Sequence, residues 1–190
     1  MNAQIGIMDG NTFCVTLEPR LFSIDITVPE HESFFDELFK LCDCDDAILL
    51  KSPCYKNVTN LIPLRISALK TLTAFSFIHS KLNLIFSVLF KSLNSNNSDI
   101  QETSYQCISS LTLSHSIDPD LITSSVKPLF QVICNDHRTL NHNVVQRLTF
   151  LAQLFPNTFG MEGMSMTTFD SSGYYNFDTL GYYNFGTSGC

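Results

Sequence analysis

Three groups of residues in this chain have the side chains that metal binding or catalysis requires. Cys42-Asp43-Cys44, with Cys54 ten residues on and His31 upstream, offer four thiol and imidazole ligands for zinc. Zinc sites favour Cys pairs separated by two to four residues, and a one-residue gap makes tetrahedral ligation awkward. Ordinary thiols at a helix end are the better reading. Asp43, Asp45 and Asp46 form an acidic run suited to calcium. The run lacks the glycine at the sixth loop position and the terminal Glu of a calcium loop, so a solvated loop is expected. His137 and His142 flank Asn141, close to Asp136. An acid–base role would need a partner nucleophile in a pocket. Neither a Gly-rich phosphate loop nor a Gly-x-Ser-x-Gly elbow accompanies them. The residues therefore predict no catalytic group, no metal and no cofactor. Arg65 and Arg147 are a different case. Each lies within an apolar helical stretch, where an unpaired guanidinium is costly. Each is expected to pair with an acidic side chain or a carbonyl of the adjacent repeat, a structural role.

The composition limits the function classes further. The chain has 190 residues, 44% of them hydrophobic and only 15% charged, against about 25% charged in an average domain. It has no Trp and 16 Phe. Wholesale disorder couples low hydrophobicity to high net charge and does not fit. The net charge of -7, with 11 basic residues scattered singly, argues against a nucleic-acid binder, which needs a basic stripe. No apolar run approaches the roughly 18–20 residues that span a bilayer, and no signal peptide is visible. Seven widely spread Cys read as reduced thiols of the cytosol or nucleus. Asn57-Val58-Thr59 and Asn96-Asn97-Ser98 match the glycosylation pattern by chance on this reading.

The elements that must position these residues are mostly helical. Residues 1–28 read as an extended segment, because Phe22, Ile24, Ile26 and Val28 alternate strictly. Pro29 then suits a helix start, with Phe34, Phe35, Leu38 and Cys42 on one face. A short helix is expected over Asp46–Lys51. Leu61, Leu64, Ala68, Leu72 and Phe75 form the stripe of a helix running to about His79. Ser80 reads as the N-cap of the next helix, which carries Leu82, Ile85, Phe86, Leu89, Phe90 and Leu93. After the polar turn Asn94-Ser95-Asn96-Asn97, Ser98 and Gln101 read as a capping box. Asp118-Pro119 opens another helix, which Pro128 should kink. The stripe Leu140, Val144, Leu148, Leu151 and Phe155 follows, and Pro156 stops it.

Residues 160–190 form a separate low-complexity region without Lys or Arg. The block Gly173-Tyr174-Tyr175-Asn176-Phe177 returns as Gly181-Tyr182-Tyr183-Asn184-Phe185. This tail is expected to be disordered, and its aromatics could support self-association. The 29–159 stretch shows helix, short turn, helix at intervals of roughly 35–40 residues, the signature of an α-solenoid. Leu64-Arg65 with Ala68 and Leu72 recurs as Ile100-Gln101 with Ser104 and Ile108. A small residue such as Ala68 lets paired helices pack closely. The expected fold is all-α, a stack of antiparallel helix pairs.

Longer strings narrow this. They are Leu17-Glu18-Pro19-Arg20-Leu21-Phe22-Ser23-Ile24-Asp25 and Pro53-Cys54-Tyr55-Lys56-Asn57-Val58-Thr59-Asn60-Leu61-Ile62-Pro63-Leu64-Arg65. Leu89-Phe90-Lys91-Ser92-Leu93-Asn94-Ser95, Asn143-Val144-Val145-Gln146-Arg147-Leu148-Thr149 and Leu154-Phe155-Pro156-Asn157 follow in the same order. In these strings, from about Cys14 to Phe159, the chain resembles the transformation/transcription domain-associated protein family. The resemblance implies a HEAT-like solenoid, of which an internal proline such as Pro128 is a familiar feature. It implies a slice of a giant pseudokinase related to the phosphatidylinositol-kinase-like kinases, without its FAT or kinase-like regions. It implies a nuclear scaffold that docks transcription activators within histone acetyltransferase complexes of the SAGA and NuA-four/Tip-sixty types. Its expected partners are other HEAT repeats, subunits of those complexes and activators, with no direct nucleic acid and no membrane. The tail beyond residue 160 departs from the family, where further helical repeats should follow. Two other readings compete: a free-standing armadillo or HEAT adaptor, which needs a polar cap at each end of its stack, and a small zinc enzyme using the Cys and His residues.

Overall fold

A computed structural model describes residues 2–17, 28–125, 127 and 141–156. Its helices include α1 (Asn2–Leu17), α2 (Pro29–Asp43), α3 (Asp46–Leu49), α4 (Ile62–Ala74), α5 (Leu82–Leu93), α6 (Ser98–Thr112) and α7 (His142–Leu154). A 3-10 turn, His79–Lys81, precedes α5, and residues 119–125 are also helical. No strand occurs among the described residues. The all-α solenoid expected from the periodicity is the fold observed.

The helices form two layers. In one, α1 packs beside α4, α4 beside α6 and α6 beside α7. In the other, α2 lies over α4 and touches α5, and α5 lies over α6. Thus α2 with α4, and α5 with α6, are the successive pairs of a stack. The core lies between the layers. Phe35, Leu64, Ala68, Leu69, Leu72, Phe75, Ile85, Phe86 and Leu89 are all inaccessible to solvent. Phe35 of α2 meets Phe75 edge to face, with centroids 5.2 Å apart, and Phe34 meets Phe75 at 6.3 Å. Tyr105 of α6 stacks on Phe150 of α7 at 4.5 Å. Each such ring pair adds about 0.5–1.5 kcal/mol beyond its buried area.

The extended segment expected over residues 1–28 is corrected in its first part. Asn2–Leu17 is the helix α1. Two glycines and apolar residues that do not keep to one face blur its 3.6-residue period, and contact with α4 supplies what local pattern does not. Met8 is buried there, and Thr12 and Thr71 share a hydrogen bond of 3.0 Å between their hydroxyls. The Thr71 hydroxyl also donates to the Ser67 carbonyl one turn back. Phe22, Ile24 and Ile26 lie outside the described residues, as do Pro128 with its expected kink and the Tyr-rich tail.

Helix ends also differ from expectation. Ser98 and Gln101 do not form a capping box. Asn97 is the N-cap of α6, its side-chain oxygen accepting from the Asp99 and Ile100 amides at 3.1 Å. Ser80 does not cap α5, because residues 79–81 are already wound as a 3-10 turn. The helix expected to run to His79 ends at Ala74. Its last carbonyls, of Thr71 and Leu72, accept the Phe75 amide. The aromatic and β-branched residues that follow hold helix poorly, and the Phe75 ring is committed to the core against Phe34 and Phe35. Asp118 does open the next helix, its carboxylate accepting from the Asp120 amide at 2.9 Å.

Candidate functional site

The polar chemistry concentrates where the stack turns from one helix of a pair to the other. At the end of α2 the backbone leaves the helix at Cys44. Arg65, in the first turns of α4, reaches across to this point. Its guanidinium donates to the Cys44 carbonyl and, at 2.7 Å, to the Asp46 carboxylate. Its side chain is 18% exposed, that of Asp46 69%. The ammonium of Lys91, near the end of α5, donates to the Asp43 carbonyl at 2.9 Å and to its carboxylate at 2.6 Å. One turn of chain thus receives a cation from its own pair and another from the next. The carbonyls at a helix C-terminus are unpaired within the helix and carry the negative end of its dipole. Cations placed there fill both needs.

The same device recurs at the end of α5. Arg147 of α7 donates to the Asn94 carbonyl and, at 3.5 Å, to that of Ser95. Asn143, one turn earlier, donates to the Asn96 carbonyl at 3.3 Å. Burial lowers the Arg147 pKa from its ordinary range. Ala68 is wholly buried on α4, in the layer where α4 meets α6. A cleft of about 160 Å³ connects the two turns, with Cys44, Asp45, Arg65, Lys91, Asn94 and Ser95 on its walls.

The other groups singled out by residue type behave differently. Asp43 and Asp46 are each engaged by a cation, so two of the three acidic residues of the run already have partners. Cys42 is buried, and desolvation pushes its pKa up to about 12, against the opposing pull of Arg65. Burial raises the Cys107 thiol in the same way. A protonated buried thiol is a poor nucleophile and a poor ligand. Cys54 is exposed. Among the described residues no three His, Cys, Asp or Glu side chains gather as a metal site. His137 lies outside the described residues.

Sequence reasoning missed Lys91 and Asn143, although both lie inside strings that carried the resemblance. Nothing in their spacing marks them. Their role depends on a carbonyl roughly 50 residues away in sequence.

Comparison with known proteins agrees with this architecture. The family model described as the Tra1 HEAT repeat ring region matches residues 1–162. Over 158 residues, 83% of the chain, the sequence is 47% identical to the transformation/transcription domain-associated protein of Danio rerio. It is 46% identical over the same length to the protein of that name from Homo sapiens. Over 160 residues it is 44% identical to transcription-associated protein 1 of Drosophila melanogaster. The chain spans only 4% of the length of each of these relatives. Paired helices stacked in two layers, and a match that runs through nearly all of them, make this chain a member of the transformation/transcription domain-associated protein family, within its HEAT repeat ring region.

Proposed function

We propose that this chain is a non-catalytic segment of a protein-interaction scaffold in transcription regulation. The observation that carries the reading is where the reactive side chains are spent. Arg65, Lys91 and Arg147 bind helix-end carbonyls, and Asp43 and Asp46 answer two of them. Cys42 and Cys107 are buried and held protonated. What remains for partners is the outer surface of stacked helices. Arg65, Ala68 and Arg147 act as structural residues that fix one pair on the next, and Pro128 is assigned the same role in the first helix of the following pair.

The names of the relatives tie them to transcription. On that basis the partners of this chain are other HEAT repeats, subunits of nuclear histone acetyltransferase complexes of the SAGA and NuA-four/Tip-sixty types, and transcription activators. Its place is the nucleus. With a net charge of -7, contact with chromatin runs through protein partners and not through phosphate. No described helix is long and apolar enough to cross a membrane. Affinity capture from nuclear extract with the immobilised chain tests the reading. Enrichment of acetyltransferase subunits is the expected result, and their absence from the captured material overturns it.

A further inference from the structure

The offset that relates successive helix pairs also relates two histidines. Leu64 and Ile100 are 36 residues apart, as are Leu72 and Ile108, and so are His79 and His115. The two histidines therefore hold the same station in successive turns of the stack. His79 opens the 3-10 turn that leads from α4 into α5. His115 follows α6, its amide donating to the Leu111 carbonyl at 2.8 Å. Because α4 packs beside α6, the ends of the two helices come together and the rings meet. Their centroids are 6.1 Å apart and their planes are inclined at 72°. His79 is exposed and His115 half-buried, so the pair is open to solvent.

The chemistry of the pair follows from what its nitrogens do. Among the described residues no hydrogen bond engages either imidazole, so the ring nitrogens are free to take a ligand. Neutral imidazole is the commonest protein ligand for metals and suits zinc, copper and nickel, whereas calcium and magnesium prefer oxygen. Two rings sharing one metal, each through a nitrogen about 2.0–2.1 Å from it, hold their centroids roughly 5–6 Å apart. The observed separation lies at the wide end of that range, and the exposed His79 ring closes the difference by rotating about its side-chain bonds. No third His, Cys, Asp or Glu joins the pair among the described residues. Water completes the shell, as at an open metal site.

We propose that His79 and His115 form a two-imidazole site for a divalent late transition metal such as zinc, which pins the end of α4 to the end of α6. The site is separate from the Cys42–Cys54 group and does not rest on the scaffold reading. Metal ligands are recognised in a sequence by close spacing, and a separation of 36 residues hides this pair.

The test titrates zinc chloride into the whole untagged chain, its accessible thiols first blocked with N-ethylmaleimide, and follows the histidine ring signals by NMR. The signals of His79 and His115 are expected to shift together over one range of zinc concentration, while those of His31, His137 and His142 stay in place. Zinc should also slow hydrogen exchange of amides in the last turns of α4 and α6, because a ligand held only by the folded chain opposes local opening. His79→Ala, at an exposed position that leaves the core untouched, is expected to weaken zinc binding about tenfold or more, since losing even a group that orients a ligand costs about 10–100-fold. His115→Ala should do the same. Ring signals of His79 and His115 that ignore zinc, or that shift in separate ranges, overturn the proposal. So does zinc binding at this pair of turns that survives His79→Ala at full strength.

Discussion

Arg65 illustrates how one side chain can matter more for a carbonyl than for a charge. Its carboxylate partner, Asp46, is mostly in water, and an exposed ion pair is worth about 0–1 kcal/mol. The Cys44 carbonyl lies in a part-buried setting, and leaving it unpaired costs about 1–3 kcal/mol. Arg65→Ala should therefore lower the melting temperature by several degrees, at about 2–4 °C per kcal/mol for a chain of this size. Asp46→Ala should lower it by less than half as much. Equal effects, or none from Arg65→Ala, would refute the assignment. Cys42 sets a pH dependence. Its thiol ionises near 9.0 in the unfolded chain but is pushed up to about 12 in the fold. Above pH 9 the unfolded state therefore gains free energy by losing a proton that the folded state keeps. Stability contributed by this group is complete below 9 and is lost as the pH rises toward 12. Tyr55, buried and beside Glu37, acts in the same direction from 10.0. Chemical denaturation between pH 8 and 11 should show a steady fall, shallower in Cys42→Ala than in the native chain. Parallel slopes would sink this assignment.

At the scale of single helices, α1 is the least self-sufficient. It holds Gly6 and Gly10 in its interior, and a methyl group added at either meets no atom within 4 Å. Neither glycine is needed for close approach, and each costs about 0.5–1 kcal/mol of helix stability relative to Ala. Gly6→Ala with Gly10→Ala should slow hydrogen exchange across α1 several-fold without changing that of α6. No slowing would mean that α1 is held by α4 alone and gains nothing from propensity. The same helix marks where the sequence was hard to read. The stripes of α2, α5 and α6 were legible because Leu38, Phe86 and Ile108 repeat with the period of a helix and face a core. Among the described side chains of α1 only Met8 is buried, and the helix's further anchorage includes hydrogen bonds between Thr12 and Thr71 and between Ser67 and Asp9. Those contacts span about 60 residues and leave no local period. Helix caps were misplaced for a related reason. Ser98 and Asn97 are both good caps, and only the geometry of the turn from Asn94 decides that Asn97 takes the role. Asn97→Ala should cost about 1 kcal/mol, the usual price of a lost N-cap, and Ser98→Ala almost nothing.

Across the whole stack, stability in a solenoid is close to a sum of units and the interfaces between neighbours. Position along the stack should then decide how far damage spreads. α4 touches α1, α2, α5 and α6, whereas among the described helices α7 packs closely on α6. Leu72 of α4 is wholly buried, and Leu151 of α7 is 1% exposed. Truncating either to Ala removes the same side chain and should cost about 2–5 kcal/mol. The consequences should differ. Leu72→Ala loosens a helix that has several neighbours, so hydrogen-exchange protection should fall together in α1, α2, α4 and α6. Leu151→Ala weakens one interface, so α7 should open by itself while α1 and α2 keep their native exchange rates, a local opening and not a global one. The Arg147 bond to the Asn94 carbonyl ties α7 to the turn between α5 and α6, so Arg147→Ala should reproduce the Leu151→Ala pattern more weakly. If Leu151→Ala instead lowers protection in α1 as much as in α7, the helices unfold as one cooperative block, and the nearest-neighbour account of this stack is wrong.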